Sequence, residues 1–141
     1  MQNFEIIARA VIIDNDKILL CKRKDRDYYF LPGGHVEFGE KTEDALAREI
    51  KEELGAVSSE INFIGACENI FTQDGQKRHE LNLAFAAKLA ASRTISMEDH
   101  LEFKLVDFSE FTDTNVLPVA LTQGVVRWLS DKQLFWVAYQ S

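Results

Sequence analysis

Three glutamates lie within five consecutive positions, at Glu49, Glu52 and Glu53. On a helix that turns about 100° per residue, their side chains share a face roughly 100° wide. Like charges at this spacing destabilise a helix, and a divalent cation would offset their repulsion. Mg²⁺ and Mn²⁺ prefer carboxylate and carbonyl oxygens as ligands. The spacing therefore predicts a metal site, and the alternative is a solvated acidic helix face.

A helix over residues 42–54 would position these carboxylates. Thr42 is a suitable N-cap, two acidic residues follow it in the first turn, and Gly55 stands just past the end. The apolar residues of the segment share an adjoining face, which would pack on a core. Arg48 stands one turn before Glu52 and could orient its carboxylate.

A glycine-containing loop precedes this helix, in the run Leu31-Pro32-Gly33-Gly34. Pro32 fixes one backbone angle and the two glycines free the next ones, as a tight loop requires if its carbonyl oxygens are to face a ligand. A backbone oxygen could thus join the carboxylates. Gly-Gly is also common in ordinary turns, so the loop indicates a ligand site only together with the carboxylate helix that follows it.

Together the loop and the helix form the pattern G-x5-E-x7-R-E-U-x-E-E-x-G-U, where U is an apolar residue. The pattern begins at Gly34, places Glu40 at its first glutamate and ends at Ala56, a small residue at its least typical position. It resembles the signature box of the Nudix hydrolases, including those of the MutT type. The resemblance implies an α/β/α sandwich with a mixed β-sheet between helices. It also implies hydrolysis of a pyrophosphate linkage in a nucleoside triphosphate or a nucleoside diphosphate derivative, by water that attacks phosphorus.

The resemblance also implies roles for individual residues. Mg²⁺ or Mn²⁺ would be held by Glu49, Glu52, Glu53 and the carbonyl of Gly33, while Glu40 would be a supporting residue or an outer ligand. Catalysis would depend on two of these glutamates together with an arginine: Glu52, Glu53 and Arg48.

Relatives often recruit one more carboxylate from beyond the box, as a general base or an extra ligand. The candidates here are Glu98, Asp99 and Glu102. Glu102 is preferred, because the residues that follow it resemble the strand after this acid in some relatives. The alternative for Glu102 is an exposed strand glutamate. Glu80 is the second choice.

Five residues are predicted to bind substrate: Arg23, Tyr29, Gly34, Glu80 and Asn115. Arg23 ends a predicted strand, where family members place a basic residue against phosphate or base, but it also lies in a run of solvated charges. Tyr29 could stack on a nucleobase, with core packing as the alternative. Asn115 could bind a base edge, as a similarly placed Asn does in oxidised-nucleotide hydrolases.

Apolar runs predict seven strands, over residues 5–13, 17–23, 28–31, 61–72, 79–90, 102–107 and 134–138. The first two would form a hairpin across a polar turn at 14–16, and the fourth and fifth would form another across Asp74-Gly75. A second helix is expected over residues 119–129.

Composition limits the class of protein. The 141 residues contain no linker, repeat or charge block, so one domain over residues 1–141 is expected. A formal charge of −7 argues against a protein that tracks a nucleic-acid polymer, which needs a basic surface. Cys21 and Cys67 suit buried free thiols rather than a disulfide framework. With no basic leader and no long apolar run, we expect a cytoplasmic protein with a small nucleotide substrate and no membrane partner; a homodimer is left open.

Subfamily markers outside the box are mostly missing. The proline typical of ADP-ribose hydrolases is absent, since the only prolines are Pro32 and Pro118. The tyrosine of many dinucleoside polyphosphate hydrolases and the coenzyme A hydrolase pattern are absent as well. These absences favour a MutT-type hydrolase. The alternatives are a Nudix domain that binds a nucleotide or metabolite without cutting it, and an isomerase of prenyl diphosphates with the same fold.

Overall fold

One strand near the start of the chain pairs with three others. The computed structural model describes residues 2–91 and 94–141, and its elements in chain order are β1 (Phe4–Asp14), β2 (Lys17–Arg23), β3 (Gly33–His35), α1 (Thr42–Leu54), β4 (Ser58–Gln73), β5 (Gln76–Leu89), β6 (Leu101–Asp107), α2 (Phe108–Phe111), α3 (Val119–Asp131) and β7 (Phe135–Gln140). β1 is antiparallel to β2 and β3 and parallel to β5. The described strands form a mixed sheet in the order β6-β2-β1-β5-β4-β7, with β3 also paired to β1.

Two tight turns join the hairpins. Asn15 and Asp16 have φ angles of 49° and 62°, and Asp74 and Gly75 have φ angles of 51° and 77°. Such turns match the right-handed twist of the strands they connect, and Asn, Asp and Gly adopt the left-handed region most easily. Both predicted hairpins, β1–β2 and β4–β5, are therefore confirmed.

The helices pack on opposite faces of the sheet. Alternation along β1 sends Ala8, Ala10 and Ile12 into a core with α1, and Val11 into a second core with α3. We call these the α1 face and the α3 face. A mixed sheet between helices is the α/β/α sandwich that was expected, and the fold is confirmed.

The strand predicted over residues 28–31 does not form. Tyr29 and Phe30 make only single β-bridges, to Val116 and Cys21. β1 and β2 pair with each other only beside the turn that joins them, and the segment before β3 lies between the two strands where they separate. The third strand forms instead at Gly33–His35, where the sequence suggested a loop, and it pairs with β1.

The helix boundaries differ slightly from those expected. α1 covers the predicted residues, but Lys41 rather than Thr42 is the N-cap, and no side chain makes a cap hydrogen bond. α3 extends to Asp131, and the short helix α2 was not predicted. β7 covers Phe135–Gln140 rather than residues 134–138.

Two expectations about the whole chain can be compared with the structure. Cys21 and Cys67 are buried free thiols, as predicted. In the described part of the chain, no helix combines the length and the apolar character that crossing a membrane requires.

Candidate functional site

The three glutamates of α1 lie at different depths. The apolar residues of the helix are buried on the α1 face, which fixes the rotation of the helix about its axis. Glu52 points outward with 51% of its side chain exposed, Glu49 is 19% exposed, and Glu53 is 5% exposed. The helix ends at Gly55, whose left-handed backbone has a φ of 64°.

Glu53 is the most perturbed of these acids. Burial, followed by the nearby negative charge of Glu49, raises the pKa of Glu53 to about 8. Its Oε2 atom is buried and has no hydrogen-bond partner. Its backbone carbonyl accepts a hydrogen bond from the N–H of Met97 at 2.7 Å, which ties α1 to the loop before β6. A buried oxygen without a partner suits a ligand that the polypeptide does not supply.

The glycine segment lies very close to this helix. A Cβ atom on Gly34 would stand 2.5 Å from the carboxyl carbon of Glu49. Gly33 has a φ of 138°, and a Cβ atom there would stand 1.9 Å from the carbonyl oxygen of Ala8. Only glycine fits at position 33, where the obstacle is backbone, whereas a side chain at position 34 would displace the Glu49 carboxylate.

Arg48 holds this carboxylate cluster together. Its Nε and Nη2 atoms donate to the two oxygens of Glu40 at 2.8 and 2.9 Å, a bidentate pair. Its Nη1 atom donates to Glu49 at 3.0 Å and lies 3.5 Å from Glu52. Its Nη2 atom also reaches the carbonyl of His35, at 3.3 Å. The main partner of Arg48 is thus Glu40, and Glu52, expected as its partner, is the most distant.

The donor set fits a hard divalent cation. Carboxylates and backbone carbonyls are the ligands that Mg²⁺ and Mn²⁺ prefer, and Glu49, Glu52 and Glu53 supply such oxygens beside the Gly33–Gly34 backbone. Within residues 2–91 and 94–141, no three His, Cys, Asp or Glu side chains converge into a cage on their own. An ion here would therefore rely on backbone carbonyls and substrate oxygens as well, as Mg²⁺ commonly does.

Of the three candidate carboxylates beyond the box, Glu98 has a charge that acts on Glu53. It contributes to the raised pKa of Glu53, and it follows Met97, whose N–H bonds the Glu53 carbonyl. The hydroxyl of Ser96 accepts from the backbone N–H of Glu98 at 3.0 Å and fixes this turn. Glu98 therefore adjoins the buried end of the cluster.

The structure places Glu102, the preferred candidate, elsewhere. Its carboxylate pairs with Lys22 Nζ at 3.4 Å, directly across from it on β2. Its strand neighbours Phe103 and Leu105 pack on the α1 face, so alternation turns Glu102 toward the opposite face of the sheet. Glu102 is not brought together with Glu53.

Two residues that the sequence reading missed lie beside the site. Arg9 on β1 donates from Nη1 to the carbonyl of Leu31 at 3.0 Å and from Nε to Oδ1 of Asn82 at 3.5 Å. Its guanidinium lies over the ring of Phe30, 5.3 Å from the centroid. Arg9 and Asn82 are polar residues within otherwise apolar strand runs, and that signal could have drawn attention to them.

Arg9 links two acidic groups. Burial lowers its pKa, and the charges of Glu80, Glu53 and Glu49 oppose that effect. Burial in turn raises the pKa of Glu80, and Arg9 counteracts it. The buried guanidinium therefore lies within electrostatic reach of both the box carboxylates and Glu80.

The other predicted substrate residues are dispersed. Arg23 is half exposed and pairs with Asp25 at 3.1 Å. Tyr29 donates its backbone N–H to the carbonyl of Asn115 at 2.8 Å, so these two residues are neighbours. The Nδ2 atom of Asn115 is 3.5 Å from the Asp27 carbonyl oxygen. Asn115 also lines an open pocket of 410 Å³ beside α3.

The sheet thus lies between helices, and one of these helices carries the carboxylates beside the glycine backbone. The chain belongs to the NUDIX domain family, which matches residues 4–128. The resemblance in the box is thereby confirmed.

Individual relatives agree with this assignment. An ADP-ribose pyrophosphatase of Methanocaldococcus jannaschii is 32% identical over 116 residues, which make up 80% of this chain and 64% of that protein. An NAD-capped RNA hydrolase NudC of Pseudomonas aeruginosa is 28% identical over 131 residues, 89% of this chain and 42% of that protein. The chain thus spans less than two thirds of either relative. The crystal structure of the MutT protein from Bacillus halodurans has the same fold, with a TM-score of 0.76 at 19% identity over 96% of this chain and 90% of that one.

Proposed function

We propose that this chain is a divalent-metal-dependent pyrophosphohydrolase that acts on a nucleoside triphosphate or a nucleoside diphosphate derivative. The observation that carries the proposal is the buried Glu53 carboxylate, with an oxygen that no protein group binds, next to Glu49 and a glycine backbone that leaves no room for a side chain. Membership of the NUDIX family supports it. The M. jannaschii relative adds ADP-ribose to the compounds worth testing.

Each residue of the cluster has a separate task in this proposal. Glu49, Glu52, Glu53 and the carbonyl of Gly33 would hold Mg²⁺ or Mn²⁺. Once bound, the metal would neutralise phosphate oxygens and acidify a water. Glu40 holds the guanidinium of Arg48 through a bidentate pair, and Arg48 in turn holds Glu49 through a hydrogen bond.

Glu98 replaces Glu102 in the proposal as the carboxylate from outside the box. Both carboxylates have an ion-pair partner, His100 for Glu98 and Lys22 for Glu102. The charge of Glu98 also acts on Glu53, whereas Glu102 lies toward the opposite face of the sheet. A carboxylate at this end of the cluster is in a position to take a proton from an attacking water or to add a metal ligand. The assignments of Arg23 and Asn115 to substrate binding are retained as predictions.

The test measures phosphate, pyrophosphate and nucleotide release by mass, with Mg²⁺ and with Mn²⁺. The compounds are ordinary and oxidised nucleoside triphosphates, ADP-ribose, nucleotide sugars and dinucleoside polyphosphates. We expect cleavage of at least one compound, its loss on chelation, and its loss by orders of magnitude in Glu53→Gln. Glu60→Gln, which removes an exposed charge paired with Lys88 on another strand, is the matched control. Nucleotide binding without any cleavage would favour the non-catalytic binding domain instead.

Two further predictions belong to the proposal. We place the protein in the cytoplasm, whose reducing conditions suit its two buried free thiols. A homodimer stays a prediction, and sedimentation at several concentrations would measure it.

A further inference from the structure

The α3 face of the sheet changes from apolar to polar along its strands. Ala84 of β5 and Cys67 of β4 belong to the core under α3. Further along the same two strands, alternation places Glu80, Asn82 and Asn69 on this face, and strand pairing sets Asn69 directly beside Glu80. Asn82 is 0% exposed and Asn69 is 8% exposed. We call Glu80, Asn82 and Asn69 the polar cluster.

Asn82 carries a buried donor with no partner. Its Oδ1 accepts from Arg9 at 3.5 Å, but its Nδ2 atom has no hydrogen-bond partner. In the described residues, no side chain forms a hydrogen bond or an ion pair with the Glu80 carboxylate, which is half-buried and whose pKa is raised by that burial. Buried polar groups left unpaired are costly, so a ligand that bonds both would bind at little desolvation cost.

The polar cluster adjoins the proposed metal site through Arg9. This guanidinium donates a hydrogen bond to Asn82, and the charges of Glu53 and Glu49 act on its pKa. It also bonds the carbonyl of Leu31, just before the glycine segment. A substrate with its phosphates at the box carboxylates would then place its nucleoside beside Arg9 and the polar cluster.

We propose that Glu80 and Asn82 bind the vicinal hydroxyls of the substrate's ribose, an inference that rests on the proposed function. A carboxylate accepts hydrogen bonds from two hydroxyls at once, and acidic residues bind ribose hydroxyls in this way in dinucleotide-binding folds. The Nδ2 atom of Asn82 donates to a hydroxyl oxygen. The ligand class is a ribonucleotide rather than its deoxy or dideoxy counterpart.

The rings of Phe30 and Tyr29 each have a cation over one face, which favours a sugar over a flat base beside Glu80 and Asn82. A base gains affinity by stacking on an open ring face. The ring of Phe30 is covered by Arg9 at 5.3 Å, and the ring of Tyr29 has Lys22 at 5.8 Å. A cation thus occupies one face of each ring, whereas Glu80 and Asn82 offer hydrogen bonds to hydroxyls.

The test compares ATP with 2′,3′-dideoxyATP in the presence of Mg²⁺. The readouts are kcat/KM from resolved products and Kd from calorimetry. We expect the wild type to favour ATP by about tenfold, as for a hydroxyl bound by a charged partner. Glu80→Gln and Asn82→Leu should reduce this preference toward unity, because each variant should weaken ATP more than dideoxyATP. Glu68→Gln, on the α1 face and paired with His79, should keep the preference.

The outcomes separate the two proposals. Cleavage of both compounds without a hydroxyl preference in the wild type would overturn the ribose site and leave the hydrolase standing. No cleavage, but tighter binding of ATP than of dideoxyATP that Glu80→Gln abolishes, would overturn the hydrolase and support the ribose site. A variant that changes the preference among bases, but not among hydroxyls, would also overturn the ribose site. Glu80→Gln decides the question by itself if the buried Asn82→Leu variant does not fold.

Discussion

The burial of Glu53 should make the metal-free protein less stable as pH rises. The pKa of Glu53 is raised from its ordinary 4.5 to about 8, by burial first and by Glu49 second. Between these values the unfolded chain has released a proton that the folded protein keeps, so the free energy of unfolding falls by about 1.4 kcal/mol per pH unit. Over the whole interval from 4.5 to about 8, the loss comes to about 5 kcal/mol.

Replacing Glu53 with Gln removes this titration while the size of the side chain barely changes. Well below pH 4.5 the variant and the wild type should unfold with similar free energies, because the acid is then neutral in both the folded and the unfolded states. By pH 8.5 the variant should be more stable by several kcal/mol, and each kcal/mol corresponds to about 4 °C in Tm for a chain of this size. The variant should thus be more stable and much less active.

Urea unfolding in EDTA at pH 5, 6.5 and 8.5 measures this difference. Glu52→Gln is the matched control, because Glu52 is exposed on the same helix and its variant should follow the wild type. Adding Mg²⁺ at pH 8.5 should restore stability to the wild type more than to Glu53→Gln, because a ligand stabilises the state that binds it. If the gap between wild type and Glu53→Gln stays constant from pH 5 to 8.5, the reasoning about Glu53 is wrong.

Three further predictions concern the same site. Gly33→Ala should lower the free energy of unfolding by about 3 kcal/mol or more, because its Cβ meets a backbone carbonyl at a strained φ, and chemical denaturation measures it. Gly34→Ala meets only the movable end of Glu49, so it should keep its Tm and lose metal affinity by about 10- to 100-fold in calorimetry. Glu98→Gln should lower kcat by about 100-fold or more, whereas Glu102→Gln should leave kcat nearly unchanged in the same assay. Chelation should abolish turnover, and Mg²⁺ should restore it.

Each of these has an outcome that would contradict it. Equal losses of Tm in Gly33→Ala and Gly34→Ala would contradict the distinction between a rigid backbone obstacle at position 33 and a movable side chain at position 34. Full activity in Glu98→Gln together with loss of activity in Glu102→Gln would show that Glu102 on β6, and not Glu98, is the catalytic carboxylate from outside the box. Turnover that persists in excess EDTA would show that hydrolysis does not depend on a divalent metal.

Local signals in the sequence were sufficient for much of the fold. The helix over residues 42–54 follows from apolar periodicity and from Gly55 at its end, and the two hairpins follow from Asn, Asp and Gly in their turns. The box itself gave the family, because its residue types stand at fixed distances along one helix and the loop before it. These features depend on neighbours a few positions apart, so a reader of the sequence sees them directly.

The tertiary structure decided which distant residues meet. Arg9 and Asn82 are 73 positions apart, and only the parallel pairing of β1 with β5 brings them together. The orientation of Glu102 depends on which partner β6 pairs with and on the parity of the strand, since a shift of one residue would turn it to the other face. The sequence by itself thus determined the carboxylate helix and its chemistry, whereas strand register and burial decided which other side chains lie beside it and how strongly Glu53 holds its proton.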